Sequence, residues 1–237
     1  MRRIFLSVLI VVSVAGLAAC AHTEQAGGWG KAEPSGFLGD YSKLHPAKDE
    51  NEATLVYWIE DTNKFKAYKT VLLEPVQVWR GEKSDAKDLD KEDAEYLSQY
   101  LWSKLDEELR KDYRMTGQAE QGVIRVQVAL TEAGKGVPLL DNVTAVHPGS
   151  RLASKLKEMS FGTESFVGKA TIEVKATDAQ TGELLGAMID RRGGGKYFWK
   201  SFHRWTDVEE AYAYWAKKTR WRACKMRGDA NCELPKE

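Results

Sequence analysis

Hydrophobic and polar positions change rhythm several times along this chain, and each rhythm predicts an element. Residues 4–17 are a mostly apolar run behind Arg2 and Arg3. Residues 21–34 show no period and are rich in Ala, Gly and polar residues, as expected of a flexible tether. In 35–46, Phe37, Leu38, Tyr41 and Leu44 are spaced like successive helical turns, which predicts a short docking segment. Residues 55–59 and 69–79 are rich in Val, Leu, Tyr and Trp and read as strands. Asp61-Thr62-Asn63-Lys64 between them is a turn signal, and Pro75 makes the second run an edge strand or marks a bulge. Residues 88–113 form the clearest helix, with Ala94, Leu97, Leu101 and Leu105 on one stripe and Lys, Asp and Glu around the rest.

The second half changes period. Ile124, Val126, Val128 and Leu130 alternate with Arg125 and Gln127, the pattern of a half-buried strand over 123–130. Residues 131–168 are the least regular stretch and hold Pro138, Pro148 and one short amphipathic helix marked by Leu152, Leu156 and Met159. Residues 169–177 and 183–190 make the best hairpin. Ala170, Ile172, Val174 and Ala176 alternate with Thr171, Glu173, Lys175 and Thr177, and Gly182 supplies turn chemistry. Gly193-Gly194-Gly195 ends its second strand. Residues 206–226 form the last helix. Thr206 or Asp207 caps it, Glu209 completes a capping box, and Val208, Ala211, Trp215, Thr219 and the stem of Arg222 line its inner stripe. The order is ββαβββα. It predicts an α+β fold: a mainly antiparallel sheet of about five strands with two long helices on one face. One domain spans 35–226, with a C-terminal tail at 227–237.

Charge and composition then place the domain. Two arginines, a short apolar run and Leu17-Ala18-Ala19-Cys20 have the order of a secretory signal with a lipobox. The run is about 14 residues, short of the roughly 20 that span a bilayer. The pattern predicts that residues 1–19 are removed and that Cys20 carries the lipid (diacylglycerol and palmitate-type chains). Residues 20–34 then form the lipidated cysteine and its tether. Several chains on one residue give a lasting anchor, at roughly 0.8 kcal/mol per buried CH₂. Ala21, rather than Asp, follows the cysteine and points to the outer membrane, with the domain in the periplasm. The chain balances 35 basic against 35 acidic residues. A near-neutral domain gives no case for a nucleic-acid partner. Beyond Cys20 the cysteines are Cys224 and Cys232, which in an oxidising compartment read as a disulfide, with two free thiols as the alternative.

At Pro34-Ser35-Gly36-Phe37-Leu38-Gly39-Asp40-Tyr41-Ser42-Lys43-Leu44 the chain resembles a known group. It does so again at Gly168-Lys169-Ala170-Thr171-Ile172-Glu173-Val174, followed by Asp178, Thr181-Gly182-Glu183-Leu184-Leu185 and the glycine run. Together with the lipobox these resemble the bacterial lipoproteins called domain of unknown function 3313, over essentially the whole mature domain. The resemblance implies an outer-membrane-type lipoprotein and brings no catalytic residues with it.

The residues themselves offer little chemistry. No two of His22, His45, His147 and His203 have metal-ligand spacing, and no nucleophile elbow or phosphate loop occurs, so no metal or cofactor is expected. Asp190, Arg191 and Arg192 end a strand and read as a local ion pair, or as a grip for a partner's carboxylate. Residues 196–205 interleave aromatic and basic side chains around Trp199, and Tyr214 and Trp221 lie off the inner stripe of the last helix. Such aromatics suit a recognition surface, or the edge of a core. The candidate partner-binding residues are therefore Trp199, Tyr214, Trp221, Arg191 and Arg192. The expected function is a non-catalytic, lipid-anchored module that binds an envelope protein or glycan. The alternatives are an enzyme acting on peptidoglycan or lipid, and a homo-oligomeric structural lipoprotein.

Overall fold

The computed structural model describes residues 24–25, 32–49, 51–134, 169–193 and 205–236. Their strands are β1 (Glu24–Gln25), β2 (His45–Pro46), β3 (Leu55–Trp58), β4 (Thr70–Leu73), β5 (Gln77–Val78), β6 (Arg114–Met115), β7 (Val123–Gly134), β8 (Lys169–Asp178) and β9 (Leu184–Gly193). Their helices are α1 (Thr62–Lys66), α2 (Lys91–Leu109) and α3 (Thr206–Arg227). The strands join in one sheet of order β2-β3-β9-β8-β7-β4-β6, with β1 also on β9 and β5 also on β7. The fold is α+β, with α2 packed on α3 and α3 laid against β8 and β9.

The antiparallel ladder β7-β8-β9-β3 is what period-2 alternation predicts. Val128 pairs with Val174 and Val174 with Met188, so apolar residues of three strands share the helix side. α2 presents Ala94, Leu97, Leu101, Leu105 and Leu109 to the core, and the Asp90 carboxylate caps it by accepting from the Asp93 N–H at 2.8 Å.

Several elements differ from the sequence reading. The 69–79 run is two strands, β4 and β5, broken around Pro75, and both run parallel to β7. The α2 crossover between them and β7 returns the chain in the same direction, so one flank of the sheet is parallel. Residues 61–64 are not a bare turn. Asp61 accepts from the Asn63 and Lys64 N–H groups and starts α1, which buries Phe65. The 35–46 segment docks on the sheet as expected, but as turns ending in β2 rather than at helical spacing, because Gly36 and Gly39 take φ of 99° and 80°. α3 has Trp205 at its N-cap, rather than Thr206 or Asp207, and Trp205 makes no side-chain cap bond. The helix ends at Gly228, whose φ of 67° lets its N–H reach the Lys225 carbonyl. β1 lies inside the stretch read as a tether and pairs with β9. The short helix expected around Leu152, Leu156 and Met159 falls outside the described residues.

Candidate functional site

The two most distinctive segments of the sequence meet on the sheet face away from the helices. Along β8 and β9, pairing alternates sides, so Glu173 and Arg191 point away from α3 while Asp190 and Arg192 point toward it. Glu173 is fully buried. Its carboxylate accepts from the Ser35 N–H at 2.7 Å and from the Tyr41 hydroxyl at 2.6 Å. The same hydroxyl accepts from the Gly36 and Leu38 N–H groups at 2.8 and 3.2 Å. Gly36 and Gly39 bend the backbone around it. Phe37 packs edge-on against Trp79, whose indole N–H donates to the Ser35 carbonyl at 3.1 Å. The result is a clasp that straps residues 35–41 onto the sheet. Burial first, and then the bond to Glu173, push the Tyr41 hydroxyl up to about 12.

Beside the clasp, Arg191 donates from Nε and Nη2 to the Glu132 carboxylate at 2.7 and 2.8 Å, and the Thr171 hydroxyl adds a third bond at 2.6 Å. Burial works to raise the Glu132 carboxyl, but the Arg191 and Thr171 bonds hold it below its ordinary value.

The helix side of the same strands holds a second set. Asp190 accepts from the Trp215 indole N–H at 2.8 Å and lies 3.9 Å from Arg222, whose Nε donates to Glu52 at 2.8 Å. Burial raises the Asp190 carboxyl despite Arg222, Arg192 and Trp215. The Arg192 guanidinium lies 3.9 Å from the Tyr214 ring centre. Lys218, only 1% exposed, has no hydrogen-bond acceptor among the described residues and rests 4.4 Å over Trp221 and 5.6 Å from Tyr214. Burial, followed by the nearby Arg222 charge, lowers its ammonium to about 8.

The sequence-predicted residues are thus divided. Arg191 and Arg192 do not form one grip, since they point to opposite faces. Tyr214 and Trp221 are each 8% exposed and form part of the second set, not an open aromatic surface. Cys20 and Trp199 lie outside the described residues. Cys224 and Cys232 are joined, with their Cα atoms 5.7 Å apart. The bond folds the tail beside α3 and α2, leaving an open hollow of about 760 Å³ whose walls include Lys111, Asp112, Lys217 and Arg220. Among the described residues no group of three or more His, Cys, Asp or Glu is placed to hold a metal ion. Tyr41, Glu173, Glu132, Lys218 and Glu52 were not singled out from the sequence. Only Tyr41 and Glu173 carried a signal, as members of the two quoted motifs.

The model of the family described as "Protein of unknown function (DUF3313)" matches residues 33–219. The chain belongs to this family. The match begins just before the clasp and ends within α3, so the clasp and the Glu132–Arg191 pair lie inside it, while Trp221 and Arg222 of the second set lie just beyond it. No curated protein matches the chain. Solved structures similar to it include the dodecamer of a PelC point variant from Paraburkholderia phytofirmans, at 8% identity and a TM-score of 0.37. That likeness covers 70% of this chain and 90% of the other. A second PelC dodecamer structure from the same organism is 11% identical with a TM-score of 0.34, covering 62% and 85%. A PDZ domain protein from Parabacteroides distasonis is 10% identical with a TM-score of 0.32, covering 81% and 36%. Likeness at this level says nothing of what the chain binds or does.

Proposed function

We propose that the protein is a lipid-anchored lipoprotein of the bacterial outer membrane, held by acyl chains on Cys20. Its periplasmic domain acts without catalysis, as a docking module for another envelope component, protein or glycan. The observation that carries this reading is how the gathered polar groups are used. Glu173 and Asp190 with Arg222 are buried, Glu132 with Arg191 is half-buried, and all are turned on one another or on the backbone, so they hold the fold together. An active site would need such groups converging on an open cleft. The leader and lipobox supply the address.

The test is partner capture in intact cells with a photo-crosslinking residue placed in turn at Tyr96 and Trp199. Tyr96 is a large aromatic left 44% exposed on α2. Thr181, in the far hairpin turn, serves as control. A discrete adduct at one of the first two sites, carrying an envelope protein or glycan, supports the docking reading. Absence of any adduct from folded, membrane-bound protein overturns it.

A further inference from the structure

The pairing register fixes which end of the domain lies next to the anchor. Gly134 pairs with Lys169, Lys169 with Gly193, and Gly193 with Glu24. Four chain positions therefore sit side by side at one end of the sheet. β1 is antiparallel to β9, so the chain enters at this end and runs inward from Glu24 to Gln25. Cys20 lies only four residues before Glu24. Four extended residues reach about 14 Å at most.

The opposite end is the β8–β9 turn, where Gly182 takes a φ of 75° and its N–H donates to the Asp178 carbonyl. It is a strand of ten residues away. At about 3.3 Å per residue that strand is about 33 Å long. The helix direction agrees. Tyr214 meets Arg192, while Arg222 farther along α3 meets Met188, so α3 also begins at the Gly193 end.

We infer that the sheet end formed by Glu24, Gly134, Lys169 and Gly193 faces the lipid headgroup surface, with the Thr181 turn pointing into the periplasm. The short span between Cys20 and β1 holds it there. This inference rests on lipidation of Cys20, and it adds an orientation that lipidation alone does not give. A free tether of residues 20–34 would leave the domain unoriented, because fifteen flexible residues give a root-mean-square reach of about 20 Å in any direction.

The test uses the full lipidated protein in vesicles of phosphatidylethanolamine and phosphatidylglycerol doped with a headgroup nitroxide lipid. An environment-sensitive fluorophore is attached through Lys169→Cys or through Thr181→Cys, under conditions that leave the native disulfide intact. Gly134→Cys replaces the first variant if it fails to fold. Quenching at position 169 or 134 at least threefold stronger than at 181 is the expected result. Equal quenching at the two ends, or stronger quenching at 181, in protein that floats with the vesicles overturns the orientation and leaves the anchor standing. Protein that carries no acyl mass and does not float overturns the anchor, and the orientation with it.

Discussion

Replacing Tyr41 with phenylalanine removes one hydroxyl that makes three bonds. It donates to Glu173 at 2.6 Å and accepts from the Gly36 and Leu38 N–H groups. The donated bond goes to a carboxylate with no exposure to solvent, so its loss leaves a buried charge with one fewer donor. Bonds to charged groups contribute about 1.5–3 kcal/mol each. The Gly36 N–H is exposed and water replaces its partner at little cost. The Leu38 N–H is half-buried and adds a fraction of a further bond. The expected loss for Tyr41→Phe is therefore about 2–4 kcal/mol, a large share of the roughly 5–15 kcal/mol that holds an ordinary domain together. Urea unfolding followed by tryptophan fluorescence measures it. Limited proteolysis reads whether the 35–44 strap peels away before the rest. Pairing the change with Glu173→Gln in a double-mutant cycle isolates the bond, and the coupling expected is about 1–3 kcal/mol. A loss below about 0.5 kcal/mol at unchanged urea slope, with no new cleavage in the strap, refutes the clasp as a stabilising contact.

Three further outcomes are expected, two from the structure and one from the proposed anchor at Cys20. Lys218 has its native ammonium lowered to about 8 by burial, below its value of about 10.4 in an unfolded chain. The unfolded state then binds more protons between these values, and stability rises with pH from about 8 toward 10 by up to about 1.4 kcal/mol per unit. Lys218→Met lacks this rise and is the more stable protein at pH 7. Denaturation midpoints at about pH 7, 8 and 9 check both statements, and a wild-type midpoint that falls across this window sinks them. Cys20→Ser moves the protein from the floating membrane fraction to the soluble fraction, read by vesicle flotation and by loss of acyl mass. Cys232→Ser opens the small loop that ends in Cys224 and costs about 2–3 kcal/mol in the chain-entropy model, seen as a lower urea midpoint.

What the sequence shows and hides divides along physical lines. The β7-β8-β9 ladder is legible because alternation with period 2 shows in the residue types, Val126 and Val128 against Arg125 and Gln127. α2 is legible because Leu97, Leu101 and Leu105 repeat at helical spacing. Strand direction is not written in any local pattern. β4 and β5 look like one edge strand until the α2 crossover sets them parallel to β7. The clasp was hidden for a different reason. Glu173 falls on the polar side of its strand, where a carboxylate ordinarily meets water, and its partner Tyr41 is 132 positions away. Tyr214 and Trp221 lie off the inner stripe, which predicts exposure only for a helix covered on one side. α3 is covered on several sides, by α2, α1, β8 and β9. Its buried set widens to Tyr212, Tyr214, Lys218 and Trp221.

The charged residues of β8 and β9 also settle a question that the apolar residues leave open. Ile172, Met188 and Ile189 pack acceptably on either face, since both faces of the sheet are buried around them. Hydrophobic pattern alone therefore discriminates weakly between the native register and one slipped by a single residue, which exchanges every side chain between faces. Glu173, Asp190, Arg191 and Arg192 do discriminate. A one-residue slip of β9 turns Asp190 away from Trp215 and Arg222, and presents Arg191 to the helices in place of its bidentate bond to Glu132. Each misplaced charge is buried without its partner, at a cost of several kcal/mol per ion. Whatever these ion sets add to net stability, they make the neighbouring register expensive. Register in turn brings Gly134, Lys169, Gly193 and Glu24 into line at one end of the sheet.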